Sequence, residues 1–284
     1  MTDSESCYTR NCQLSTEATF PKGMSRIALG IEYNGSQFHG FQCQSPGVAT
    51  VQNNLNNALS IIADEPITTI CAGRTDAGVH ATNQVVHFDT LAQRLNSAWL
   101  RGVNSHLPND ISIRWAKVVT PRFHSRFSAV SRCYRYIIHC SPTPSALLNQ
   151  QVAWQRRSLD IVRMRAASAC LIGEHDFSAF RAAQCQSRRP FRCIQHITIE
   201  QRNDFIIIEV KANAFLYHMV RNIIGVLTVI GSGDAPVDWC RQVLDSRDRR
   251  QAGVTAAASG LYLVAVDYPS EFDLPIMPKG PYIV

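Results

Sequence analysis

The sequence predicts an α+β fold made of two split βαβ, ferredoxin-like halves, and three observations carry that expectation. Segments of period-two alternation and of helical spacing follow one another over residues 26–119 as strand, helix, strand, strand, helix, strand. A Thr120-Pro121 break then interrupts the pattern. Beyond that break the same order starts again.

Residues 1–23 are polar, lack periodicity and end in Pro21-Lys22-Gly23, which reads as a disordered tail. Arg26 to Tyr33 alternates and is rich in Ile and Leu, a first strand ending at the Asn34-Gly35 turn signal. Thr50 caps a helix with Val51, Leu55, Ala58, Leu59 and Ile62 on one face, and Pro66 prevents its continuation. Ile67 to Cys71 is the next strand, followed by a loop and by the strand Gln84 to Asp89. A helical segment from Arg94 to about His106 leads through Leu107-Pro108-Asn109-Asp110 into the strand Ile111 to Val119. Residues 24–121 therefore read as an N-terminal α/β subdomain.

Residues 122–284 read as the second subdomain. It opens with a long strand, Phe127 to His139, broken by Ser141-Pro142-Thr143-Pro144. Ser158 caps a helix running to about Leu171. Phe191 to Glu200 and Phe205 to Lys211 form a hairpin about Arg202-Asn203-Asp204, and Phe215 to Ile230 is an apolar helix stopped by Gly231 and Gly233. Val237 to Leu244 is a short helix and Leu261 to Tyr268 the last strand. Pro269, Pro275, Pro278 and Pro281 then imply an extended tail laid over the surface.

At 284 residues and 45% hydrophobic content the chain has the material for substantial cores. No stretch is long and apolar enough to span a bilayer, and residues 1–16 lack the apolar region of a signal peptide, so the expected location is the cytosol. The ten cysteines include no C-x-x-C pair and no Cys/His cluster at zinc-ligand spacing. They read as reduced, core-filling thiols rather than a disulfide frame or a metal site. The net charge of +6 fits a polyanionic partner. Only Lys22, Lys117, Lys211 and Lys279 are lysines, leaving 24 of the 28 basic residues as arginine, whose planar fork suits phosphate oxygens. Coding bias would produce the same imbalance.

Function concentrates in Ala72-Gly73-Arg74-Thr75-Asp76-Ala77-Gly78-Val79-His80, where a turn holding two glycines presents one carboxylate at the end of a strand. An ordinary turn capped by Asp76 would show the same residues. Arg122, Arg126, Arg132 and Arg135 interleave with Phe123, Phe127, Tyr134 and Tyr136, the mixture nucleic-acid grooves use for phosphate neutralisation and stacking; a half-buried strand would show it too. A second basic stretch, Arg181 to Arg192, carries Arg188 and Arg189 and is too irregular for a helix; it reads as an exposed arm or lid if it borders a site, and as a solvated loop otherwise. Arg221 stands alone among core-forming residues and needs a carboxylate or phosphate partner, structural or functional. His218 and His175 read as satisfied polar groups.

Taken together these motifs resemble the TruA family of tRNA pseudouridine synthases. The resemblance runs from about Arg26 to Pro281. It rests on Gly73-Arg74-Thr75-Asp76-Ala77-Gly78-Val79-His80, Gly102-Val103-Asn104 with Leu107-Pro108, Arg126-Phe127-Ser128-Ala129, Tyr134-Arg135-Tyr136, Lys211-Ala212-Asn213-Ala214-Phe215 with His218-Met219-Val220-Arg221-Asn222, and Gly260-Leu261-Tyr262-Leu263. It implies isomerisation of uridine to pseudouridine at positions 38, 39 and 40 in the anticodon arm of tRNA, with no metal or organic cofactor. It also implies a homodimer, and one continuous, mostly antiparallel sheet with helices on one side.

Carried over residue by residue, the resemblance makes Asp76 the catalytic nucleophile, Tyr134 the ring that packs on the target uracil and Arg221 the partner of Asp76. Arg74 helps displace or replace the flipped base, and Leu261 forms the apolar floor. Arg126, Arg132, Arg188 and Arg189 are the expected RNA contacts. The pattern departs at two places: Gly40-Phe41-Gln42-Cys43-Gln44 has Phe41 where the family has tryptophan, and Cys133 stands where a basic residue is common, each removing an expected RNA contact. The tail before Arg26 has no counterpart. Two rival readings are a catalytically silent tRNA-binding protein, which the intact Asp76, Tyr134 and Arg221 oppose, and a nucleoside hydrolase, for which no cluster of acidic residues is evident.

Overall fold

A computed structural model describes residues 20–282 of the chain. The expected N-terminal tail lies mostly outside them; its last residues form a turn in which the Met24 N–H donates to Pro21 O.

The first half runs β1 (Ser25–Tyr33), α1 (Val51–Ala63), β2 (Ile70–Cys71), β3 (His80–Thr90), a helical turn at Ala98–Gly102 and β4 (Ile111–Val119). The second half runs β5 (Ser131–Cys140), β6 (Ala153–Gln155), α2 (Ile161–Ser168), β7 (Gly173–Asp176), β8 (Phe191–Arg202), β9 (Phe205–Ala212), α3 (Met219–Gly231), α4 (Trp239–Ser246) and β10 (Leu261–Asp267). All ten strands join one sheet in the order β4-β1-β3-β10-β5-β9-β8-β7, with β2 on β3 and β6 on β5. Within each half the order is that of a split βαβ unit: β4-β1-β3-β2, then β10-β5-β9-β8. The pairing is antiparallel except where β10 meets β3 and β6 meets β5.

The helices share one face. Alternation sends Ile27, Leu29, Ile31 and Tyr33 of β1 into the same core as Leu55 and Leu59 of α1, Met164 of α2, Ile223 and Leu227 of α3, and Val243 of α4. On the other face Ala28, Val85, Trp115 and Phe123 make a smaller cluster with Phe272. The proline-rich tail is tied over that face by Asn83 Nδ2, which donates to Pro278 O, and by Arg135 Nη1, which donates to Lys279 O and Gly280 O.

Several elements differ from the sequence expectation for local reasons. β2 is only two residues long, because the backbone before it is taken by α1: Ile67 N–H donates to Ser60 Oγ and Thr69 N–H to Asn56 Oδ1. The long strand expected from Phe127 begins only at Ser131, since residues 124–128 close a turn with Ser128 N–H on His124 O. The segment after Arg94 is helical over residues 96–104, as expected, but shorter and widened at Ala98–Gly102, where Val103 N–H reaches back to Ala98 O. The cap of α2 is Asp160, whose carboxylate accepts from Val162 and Arg163 N–H, not Ser158. α3 starts four residues late, at Met219, because His218 has left-handed backbone, φ +60°. The short β6 and β7 carry no clear alternation and were not expected. Of the described cysteines only Cys133, Cys193 and Cys240 are buried, the other five lying half-buried.

The feature that positions the site is the sharing of β3. Its start pairs with β10 (Tyr262 with His80, Leu263 with Ala81), whereas its later part pairs with β2 (Ile70 with His87, Cys71 with Val86). β2 and β10 therefore diverge along one strand, and the loop from β2 back to β3 falls in the cleft between them.

His87 locks this arrangement. Its Nδ1 accepts from Ser125 N–H, 3.2 Å, and lies 2.8 Å from Ser125 Oγ, which itself donates to Ile70 O. An accepting Nδ1 in a buried ring disfavours a proton, and burial, aided by nearby Arg26, lowers the imidazole to about 3. Because the folded value lies below the ordinary one, this stability is present above about pH 6.5 and is lost as pH falls toward 3, by up to about 5 kcal/mol in full. The expected result is a melting temperature that falls more steeply between pH 6.5 and 4 in the wild type than in His87→Asn. Parallel melting curves for the two proteins across that range would refute it.

Candidate active site

Asp76 sits in the loop between β2 and β3, and two neighbouring segments hold that loop still. Phe41 N–H donates to Thr75 O and Gly78 N–H to Phe38 O, while Val79 N–H closes the turn on Asp76 O. Gly40 allows the approach, since a Cβ there would stand 2.7 Å from Thr75 O, and Gly78 supplies the left-handed φ of +75°. Tyr33 Oη and Thr75 Oγ1 share a buried 2.8 Å hydrogen bond, and Gln84 clasps Gly73 through both its amide atoms. The carboxylate is thus delivered by a rigid turn rather than a free loop.

Facing it is the start of α3. Arg221 Nη1 lies 3.5 Å from Asp76 Oδ2, and His218 Nε2 lies 3.3 Å from the same oxygen. Arg221 is braced by its Nε–H on Ala256 O, 2.7 Å, and the 252–256 loop is held by Arg249 and by the buried Asn222. Burial raises the Asp76 carboxyl above the ordinary carboxylate range, while His218 and Arg221 pull it back. Arg221 therefore acts on the carboxylate with the sign expected from sequence, but against a larger opposing cost of burial.

His218 is the site residue that sequence reasoning assigned to ordinary polar satisfaction. Its spacing of three from Arg221 was the available signal, but its left-handed backbone was not legible. Nε2 lies 3.3 Å from Arg221 Nη1 as well as from Asp76 Oδ2. In any one neutral tautomer that nitrogen can donate to the carboxylate or accept from the guanidinium, not both. The ring also stacks on the partly exposed Tyr217, 4.0 Å between centroids.

Tyr134 and Leu261 come together on adjacent strands, β5 and β10, with Leu261 opposite Tyr136. Tyr134 is buried, packs edge-on against Phe215 at 5.0 Å, and its hydroxyl ends at the Asp76 turn, 3.6 Å from where a Cβ on Gly73 would stand. Burial, aided by Asp76, holds the phenol protonated. Arg74 leaves the same turn but reaches across the cleft, donating from Nη1 to Gln186 Oε1 at 2.9 Å. That contact makes the 181–192 arm a border of the site. Arg188, Arg189 and Arg126 are exposed.

Arg132 is a correction. Its guanidinium donates to the carbonyls of Ala72, Arg126, Ala129 and Asn213, so these donors are directed into the protein and brace the base of the Asp76 turn. The two departures from the family pattern also lie inside: Phe41 is fully buried near Tyr33, and Cys133 is buried on β5. Neither is placed to contact RNA. Folding also gathers a cluster that spacing did not reveal, with the ligand atoms of Cys133, His196 and Glu209 within 4.8 Å of one another. Its charge is already balanced, because Glu209 accepts from Arg135 Nε at 2.8 Å and Lys279 Nζ at 2.7 Å. Burial pushes the Cys133 thiol up to about 12, away from the thiolate a metal needs.

Residues 30–128 and 167–269 match the model of a family described as tRNA pseudouridine synthase. A protein named tRNA pseudouridine synthase A from Pseudomonas aeruginosa is 52% identical over 262 residues, covering 92% of this chain and 92% of its own. Proteins of the same name from Coxiella burnetii and Klebsiella pneumoniae are 54% and 52% identical, over 92% and 90% of this chain and 100% and 94% of theirs. This chain belongs to the tRNA pseudouridine synthase family, a family of isomerases.

Proposed function

We propose that this chain isomerises uridine to pseudouridine in tRNA, at positions 38, 39 and 40 of the anticodon stem-loop, as a cytoplasmic homodimer that needs no metal or organic cofactor. The observation that carries the reading is the half-buried Asp76 carboxylate paired with Arg221 at the end of a braced turn, on the side where the Tyr134 hydroxyl ends. The reaction breaks the N1–C1′ bond, turns the freed uracil and rejoins it through C5, from which a proton then leaves. It needs one placed carboxylate, a dry pocket with a π face and charge partners for an anionic base. Asp76 supplies the electron pair as nucleophile. Tyr134 covers the base, Leu261 lies beneath it, and Arg221 keeps Asp76 charged and opposes the anion. Arg74 leaves Gln186 to fill the place of the flipped base. Attack at C1′, addition at C6 and removal of a sugar proton all require an ionised Asp76.

Tritium release from C5-labelled uridine in tRNA tests the activity. Mapping pseudouridine in tRNA from cells with and without the gene tests the positions: loss at 38 to 40 is expected, and an unchanged map there would overturn the assignment. Release of free uracil would instead indicate a hydrolase.

RNA binding on this reading is mainly electrostatic and shape-reading, so affinity falls steeply with salt. Arg188 and Arg189 are exposed on the arm that Gln186 ties to Arg74. Reversing both to Glu should weaken tRNA binding by on the order of tenfold at 0.1 M salt without lowering the melting temperature. A filter-binding constant equal to that of the wild type would return the arm to a merely solvated role.

A further inference from the structure

Arginines and aromatics interleave through residues 122–136, and folding sorts them. Phe123 and Tyr136 are buried in the cores and Tyr134 lies in the cleft. Arg132 is spent on carbonyls, and Arg135 on Glu209 and the C-terminal tail. Phe127 is left at the surface, 60% exposed, between the exposed Arg126 and the ring of His124. The His124 and Phe127 rings stack at 4.3 Å with planes 29° apart, and the Arg126 guanidinium carbon lies 5.7 Å from the Phe127 centroid.

An exposed aromatic on a mobile loop would mean little, but this one is fixed from several sides. His124 Nδ1 accepts from the N–H groups of both Arg126 and Phe127, at 3.1 and 3.2 Å. Ser128 closes the turn by donating its N–H to His124 O and accepting from His124 N–H at Oγ. Ser125 is clamped between His87, Ile70 and the Tyr268 hydroxyl. A single nitrogen, Arg132 Nη2, donates to both Arg126 O at 2.7 Å and Ala72 O at 3.0 Å. The turn bearing Phe127 is thereby joined to the strand end that delivers Asp76, four residues beyond Ala72 and so at most about 14 Å along the chain.

We propose that Phe127, backed by His124 and flanked by Arg126, is a stacking platform for one unpaired base of the RNA substrate near the nucleotide that enters the Asp76 pocket. The proposal rests on the function proposed above. A base is the occupant the chemistry favours. The ring offers a π face to any nucleobase, Arg126 stands ready for the adjoining phosphate or to close over the base, and Arg122 adds a further exposed cation beside the turn. A second protein copy would have to desolvate those arginines to reach one phenylalanine. A rigid ring also loses little conformational entropy on binding, which suits a platform that must register the strand against a fixed carboxylate.

The test compares the full-length wild type with Phe127→Ala, Phe127→Leu and Phe127→Trp, by filter binding to an unmodified tRNA transcript and by sedimentation of the free proteins. Ala and Leu are expected to weaken binding at least about fivefold, and Trp to stay within about twofold of the wild type, because stacking needs a π face and not merely apolar area. With the side chain exposed, all four should melt together. Wild-type affinity in the Ala variant, or full rescue by Leu, would overturn the platform. So would a loss of affinity that tracks dissociation of a dimer, which would give the face to a second copy. A wild type that neither binds tRNA nor releases tritium would remove the proposed function itself. An active wild type with Ala-variant affinity unchanged removes the platform alone.

Discussion

Asp76→Asn is expected to abolish pseudouridine formation, by about four orders of magnitude or more, while leaving tRNA binding nearly intact. The amide keeps the shape of the side chain in the braced turn but supplies no anion, and so can neither attack carbon nor take a proton. No other carboxylate is seen within ion-pair distance of Arg221 or His218 among the described residues, so none is poised to substitute. Binding should survive because phosphate contacts supply most of the affinity, and removing one carboxylate relieves repulsion with RNA. Tritium release and filter binding on one preparation separate the two quantities. Turnover near the wild-type rate, with mass spectrometry excluding deamidation back to Asp, would sink the assignment of Asp76 and the chemistry built on it.

The second large effect is expected at Arg221. Arg221→Gln removes the guanidinium that stands 3.5 Å from Asp76 Oδ2 and should cost about 10²- to 10³-fold in turnover, the scale seen when a placed electrostatic donor is lost from a dry site. The pH profile should change in a defined direction. Burial already raises the Asp76 carboxyl and Arg221 pulls it down, so without the guanidinium the carboxyl rises further. Activity requires the ionised form. The acid limb of the rate profile therefore moves to higher pH, and the deficit is worst in acid and shrinks as pH rises. Arg221→Lys keeps the charge but loses the bond from Nε to Ala256 O, so it should restore the position of the acid limb more fully than the rate. An acid limb in Arg221→Gln that coincides with that of the wild type would show that the pair does not govern the charge of Asp76.

Much of the fold was legible because its signals are local. Thr50 caps α1 through the Asn53 N–H three residues on, and the apolar spacing within Val51–Ala63 selects its buried face. Alternation alone located β1, β4 and the β8–β9 hairpin to within a residue or two. Errors fell where a distant group took the backbone, as the polar face of α1 does before β2, or where one residue left the regular conformation, as His218 does before α3. Neither event leaves a periodic trace.

The sequence by itself determined that a carboxylate would stand in a glycine-bounded turn after a strand, and that an isolated arginine in an apolar helix needed an anion. Tertiary structure decided that the two are each other's partners, that His218 stands at the same carboxylate oxygen, that Arg132 turns inward to Ala72 while Phe127 stays in solvent, and that Arg74 reaches the basic arm at Gln186. The physical reason is range. Caps and alternation act over two to four residues and are written in the local order of side chains, whereas the fate of a charge depends on which strand lies beside it. Here that is settled by pairings such as Arg132 with Ala72, 60 residues apart, and Arg74 with Gln186, 112 apart, which exist only once β3 is shared between β2 and β10.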